Sequence, residues 1–168
     1  MAKKKQLHEQ EEFFVLNAEK VDVNKTVHVE ITDLTKMIDE KKKKSFCSPE
    51  FKVGDTSLMV EVDPFRQDYI AVYLCNEGEN EATVTYMIKH ASGVFHTKEG
   101  VIGSCSSADG FDILSHKAYK EWAKDHGDVF KVEIKITLHQ KKDPSRAQWT
   151  SNRYKSFLSE VSPALILN

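Results

Sequence analysis

The chain is predicted to fold as an all-β antiparallel sandwich of about seven or eight strands with one short helix. Three stretches carry that prediction. Val129 to Leu138 (VFKVEIKITL) alternates without a break, with Phe130, Val132, Ile134, Ile136 and Leu138 on one side and Lys131, Glu133, Lys135 and Thr137 on the other. A period of two with one apolar row describes a strand with one face in a core and one in water. Leu58, Val60 and Val62 alternate in the same way with Met59, Glu61 and Asp63. Tyr69 to Leu74 (YIAVYL) is apolar almost throughout and partly β-branched or aromatic, which suits a strand covered on both faces.

The remaining elements follow in chain order. Residues 1–22 read as a polar N-terminal tail, in which Phe13 to Leu16 forms an apolar patch suited to an extra strand on the main domain. Val27, Val29 and Ile31 alternate with His28, Glu30 and Thr32 and give the first strand. Asp33 to Asp39 suits a turn or a single helical turn, and Lys41 to Lys44 a solvated loop before a strand resumes at Ser45 to Ser48. Pro64 has no N–H for a ladder, so it ends the 58–62 strand or sits at an edge. Asn76 to Asn80 is a polar turn, Thr83 to His90 a strand, Ala91 to Gly93 a tight turn, and Val94 to Thr97 its hairpin partner. Gly100 to Gly110 (GVIGSCSSADG) is rich in glycine and serine and is expected to be a long loop with at most one short strand. Ser115 to His126 is the helix: Ser115 caps it, Ala118, Tyr119 and Trp122 form its apolar stripe, and Gly127 ends it. The sandwich is placed at residues 23–140. The extension 141–168 turns amphipathic, with Tyr154, Phe157, Leu158 and Val161 at helical spacing up to Pro163.

Composition excludes several classes of function. Twenty-four basic against 26 acidic residues leave a net charge of −2, so no overall field draws the chain to nucleic acid. Three widely spaced cysteines, Cys47, Cys75 and Cys105, do not make a disulfide framework. No apolar run approaches the roughly 20 residues that cross a bilayer, and none forms a signal-peptide core. The expected location is the cytoplasm or nucleus. No His-Glu-x-x-His or Cys-x-x-Cys pattern supports a metal, and no cofactor is implied. Cys105 among Ser104, Ser106 and Ser107 suggests a nucleophile, but catalysis also needs a base held by a third group. No catalytic residue is assigned, and the chain is expected not to be an enzyme.

The order of these segments resembles the MATH domain, the meprin and TRAF homology family of TRAF-like sandwiches, over roughly residues 26–139. VHVEITDL resembles the family's opening strand, and SPEFKVGDTSLMVEVDP its Ser-x-x-Phe-x-x-Gly-x-x-Trp-x-Leu-x-Val-x-Pro segment. YIAVYL resembles the Tyr-Leu-Ser-Leu-Tyr-Leu strand, and VTYMIKHASG the next strand with its glycine turn. DGFDILSHKAY resembles the Trp-Gly-Phe segment before the short helix, and VFKVEIKITL the closing strand. Two positions depart from the pattern: Ser57 lies near the place of one tryptophan, and Asp109 replaces the other.

The resemblance implies a non-catalytic peptide-binding adaptor for signalling or for substrate recruitment in the ubiquitin pathway. Its partners would be short extended motifs of other proteins, held by strand pairing and side-chain pockets. Motif by motif, the implied peptide-binding positions are Tyr73, Val84, Val101, Asp109, Gly110 and Phe111. Tyr73 and Phe111 match groove aromatics of the family, Val84 and Val101 fall where others stand, and Asp109 shifts the expected preference toward a basic or polar peptide. The alternative is a scaffold, a homo-oligomer joined through the C-terminal extension.

Overall fold

The computed structural model describes residues 10–16 and 20–141. Among these, ten strands and two short helices alternate as β1 (Gln10–Leu16), β2 (Lys20–Thr32), α1 (Leu34–Asp39), β3 (Phe46–Cys47), β4 (Phe51–Val53), β5 (Thr56–Arg66), β6 (Tyr69–Asn76), β7 (Ala82–His90), β8 (Phe95–Ile102), β9 (Ser107–Ser115), α2 (His116–His126) and β10 (Val129–Lys141). They form two antiparallel sheets, with strand orders β1-β2-β10-β7-β8 and β3-β5-β6-β9. β4 also pairs with β5, so β3 and β4 share one interrupted edge of the second sheet. The fold is therefore an all-β sandwich.

The alternation read in the sequence sets the two inner faces. Phe130, Val132, Ile134, Ile136 and Leu138 of β10 are all buried, and so are Leu58, Val60 and Val62 of β5 and Ile70, Val72 and Leu74 of β6. Pro64 lies inside β5 but at its irregular end, where the register with β6 shifts between Asp63 and Arg66. The lost ladder donor is tolerated there.

Three findings extend or correct the sequence reading. β2 starts at Lys20 and β1 pairs along it, so the first sheet takes in residues assigned to the tail. The 33–39 segment is a true helix, and its cap comes from elsewhere. Asp33 sits in the left-handed region without capping through its side chain. The carboxylate of Asp128 instead accepts from Thr35 N (3.0 Å), Thr35 Oγ1 (2.9 Å) and Tyr119 Oη (2.9 Å), tying α1 to α2 and β10. Third, the expected 100–110 loop is only Gly103 to Ser106, because β8 runs to Ile102 and β9 begins at Ser107. The glycines and serines there belong to edge strands, where side-chain pattern is weak. The extension expected to form a helix over 154–161 lies outside the described residues. In α2 the caps are as read: Ser115 Oγ accepts from Ala118 N (3.1 Å), and Gly127 ends the helix at φ +88°.

That short crossover hangs on Asn76, which is fully buried. Its amide nitrogen donates to Asn80 O (2.8 Å) and Gly103 O (2.9 Å), and its oxygen accepts from Gly78 N (2.9 Å). One side chain thus satisfies backbone groups of both loops at this end of β6. Asn76→Ala is expected to leave those groups buried and unpaired and to lower stability by about 2–4 kcal/mol in urea unfolding, with Thr97→Ala on the exposed face within about 0.5 kcal/mol.

His90 lies in the same core, 5.0 Å from the Phe130 ring and 4.8 Å from Trp122. Its Nδ1 accepts from Ser92 N (3.0 Å), which places the neutral ring's proton on the buried Nε2. Burial pushes its pKa down from 6.5 to about 4. As pH falls through that window the unfolded chain takes up a proton that the native state refuses, so stability falls and then levels below it. The stability difference between wild type and His90→Gln is expected to shrink by about 2–3 kcal/mol between pH 7 and pH 4, measured by denaturant unfolding at each pH.

Candidate functional site

β9 is the outer strand of the second sheet: it pairs with β6 on one side and, among the described residues, with nothing on the other. β8 is likewise the outer strand of the first sheet. The two edges lie side by side and form one mouth of the sandwich. An outer strand offers alternate N–H and C=O groups to any extended chain laid beside it.

Four cross-sheet contacts, centred on Phe111 and Asp109, close that mouth. His96 of β8 stacks on Phe111 of β9, with ring centroids 4.9 Å apart and 17° between planes. Lys98 Nζ donates to Asp109 Oδ1 at 2.7 Å, and Tyr86 Oη of β7 donates to Asp109 Oδ2 at 3.0 Å. Burial, and then the Asp109 carboxylate, push the Tyr86 hydroxyl upward in pKa, so it remains a donor. Phe111 also packs against the Tyr86 ring at 5.8 Å. Asp109 is therefore already matched by a cation and a hydroxyl, and by itself it does not specify a basic ligand.

Tyr73 stands on the opposite, outward face of the same sheet. The register sets Glu61, Tyr73 and Gly110 side by side across β5, β6 and β9, with Asp63, Ala71 and Asp112 in the next row. A Cβ on Gly110 would lie 2.1 Å from Val72 O, 2.7 Å from Tyr73 Cα and 2.8 Å from Tyr73 Cδ1. Only glycine admits this approach, and it lets the Tyr73 ring lie against the backbone of β9. The guanidinium of Arg66, at the end of β5, lies over that ring, 5.6 Å from its centroid. It donates to Tyr73 Oη and approaches Asp112 Oδ1 at 3.6 Å.

The structure thus brings Tyr73, Asp109, Gly110 and Phe111 together at β9, on its two faces. It does not bring in the two valines. Val84 lies in the core with no exposed surface, paired to Gly100 and Leu138, so it cannot touch a ligand. Val101 is 57% exposed but lies opposite Thr83 on the outward face of the first sheet, away from the mouth. Sequence reasoning missed Arg66, Tyr86, His96 and Lys98. The last two fall in a strand whose inward row is polar because it faces the mouth rather than the core. An alternation of His96, Lys98, Gly100 and Ile102 carries no apolar signal until its last member.

Other reactive groups take different positions. Cys75 is buried, and burial raises its thiol pKa to about 12, which keeps it protonated. Cys105 is exposed in the crossover, and among the described residues no histidine or carboxylate hydrogen-bonds its sulfur. On the outward face of the first sheet, Thr85 Oγ1 meets His139 Nε2 at 2.7 Å and His139 Nδ1 meets Asp22 at 2.8 Å. The order hydroxyl, imidazole, carboxylate is that of an activated nucleophile, but Thr85 sits mid-strand, paired on both sides to Thr137 and Glu99. Its backbone surroundings belong to the ladder and offer no oxyanion donors, so the chain reads as a cross-strand polar tie. Among the described residues no three His, Cys, Asp or Glu side chains converge as metal ligands, and no helix is long and apolar enough to cross a membrane.

In comparison with known proteins, no family model matches the chain and no curated protein does.

Gly110→Ala is expected to force β6 and β9 apart, since one of the atoms it meets is a backbone oxygen. A loss of at least about 2 kcal/mol in thermal or urea unfolding is the expected outcome, against under about 0.5 kcal/mol for Ala108→Ser on the same strand.

Proposed function

We propose that this protein is a non-catalytic peptide-binding adaptor that receives short extended segments of partner proteins along β9, as its resemblance to MATH domains implies. The observation that carries the reading is the open side of β9, nine residues long, with Phe111 at the mouth and the Tyr73 ring brought to its outward face by Gly110. An added strand gains backbone hydrogen bonds from the edge and directs alternate side chains to these two aromatics. Phe111 is fixed by His96 and Tyr86, so little of its rotamer freedom is lost on binding. Adaptor work in signalling or in ubiquitin-ligase substrate recruitment belongs to the same proposal.

A display screen of random peptides against the purified chain tests it, repeated with Tyr73→Ala and Phe111→Ala. The expected outcome is a short consensus whose binding drops at least about tenfold in each variant while thermal melting stays cooperative. A consensus indifferent to both substitutions would move the binding surface away from β9.

A further inference from the structure

The outward face of the second sheet carries more acid than it neutralises. Glu61, Asp63 and Asp112 surround Tyr73, and Arg66 is the cation among them. Asp63 spends one oxygen on Phe65 N (2.9 Å), and among the described residues Glu61 makes no ion pair. These four side chains therefore leave an excess of two negative charges around the aromatic ring, with Lys52 farther off on the same face. Arg66 is a lone side chain from the end of β5, more than half exposed, and it reaches the ring from the strand's irregular end rather than from the regular ladder. It does what a bound cation would do: it covers the ring, takes the phenol oxygen and approaches Asp112.

We propose that the partner strand on β9 carries an arginine or lysine opposite Gly110, and that Arg66 holds this cation's place in the free protein. The inference rests on the β9 reading above and names the ligand class for it. A residue opposite Gly110 starts about 5 Å away on the outward face. Nothing on Gly110 or Ala108 obstructs its path to Tyr73, so a long cationic side chain can lie across the glycine onto the ring. There it meets the π face and the carboxylates of Asp112 and Asp63 together. An apolar side chain in the same place would strip water from those carboxylates without replacing it, and an acidic one would be repelled. Binding then requires Arg66 to swing aside, which lowers the affinity of the free protein for its ligand by the fraction of time the ring is covered.

The test is a random-dodecamer display library selected on wild type, followed by anisotropy titration of the selected peptide on wild type, Arg66→Ala, Arg66→Gln and the double variant Asp63→Asn/Asp112→Asn. Selection is expected to fix one Arg or Lys position. That peptide is expected to bind both Arg66 variants about two- to fivefold more tightly than wild type. It should bind the double variant more weakly, and its affinity for wild type should fall as salt rises. Arg66→Gln keeps a planar polar head on a shorter, uncharged side chain, so a gain in both variants assigns the effect to loss of the guanidinium from the ring. Weaker binding to the Arg66 variants would make Arg66 a contact for an acidic ligand and would overturn the proposal. Peptides that lose binding with Phe111→Ala but share no basic position would overturn it while leaving the β9 reading in place. Selection of no peptide at all would overturn both.

Discussion

Asn76 has no exposed surface, yet backbone groups of two loops depend on its amide. The chain must leave the first sheet at Ile102 and enter the second at Ser107, with four residues to make the passage. Cys105 and Ser106 accept left-handed backbone angles (φ +55° and +65°) to do so, and neither is a glycine. Such residues cost energy, and the surroundings must impose them. Asn76 does this by fixing Gly103 and Gly78, while Gly78 O and Asn76 O accept from Cys105 and Ser106. Without this anchor β9 would have no fixed starting point, and the placement of Asp109, Gly110 and Phe111 follows from where β9 starts.

The two mouths of the sandwich are closed by different chemistry. At one, the buried Lys25 of β2 reaches across to donate to Lys52 O (3.0 Å) and lies over the Phe51 ring. There the cation bonds a backbone oxygen and is almost wholly shielded. At the other, Lys98 and Asp109 form an ion pair with Lys98 nearly half exposed, and His96 covers Phe111. Partly exposed pairs of this kind contribute little to stability and exchange readily with water or ligand. The β8–β9 mouth is thus the softer of the two, and it lies beside the outer strand with the longer unpaired side.

Much of the architecture was legible because the buried strands announce themselves. β5, β6, β7 and β10 all appear as alternating or continuous apolar runs, and the caps of α2 follow from Ser115 and Gly127. β8 and β9 did not appear at their true lengths, since a strand at a mouth puts His96, Lys98, Asp109 and Gly110 where a core strand would put leucine or valine. For the same reason the site was only partly legible. Tyr73, Asp109, Gly110 and Phe111 could be placed by the order of segments, whereas Arg66 reaches Tyr73 through a bulge that no pattern encodes. Val84 shows the converse. Its position in a motif suggested a ligand contact, but the period of two on β7 already placed it in the core.

The second sheet has two unlike borders. On the β5 side the border is broken into β3 and β4, with Ser48 to Glu50 between them and Pro49 unable to donate; Ser48 Oγ, not another strand, accepts from Val60 N (2.9 Å). On the other side β9 is one strand from Ser107 to Ser115, with an irregularity at Ile113. A sheet with one closed and one open border has a direction of growth and a built-in stop. The second sheet can therefore be extended along β9 but not in the same way along its β3–β4 border.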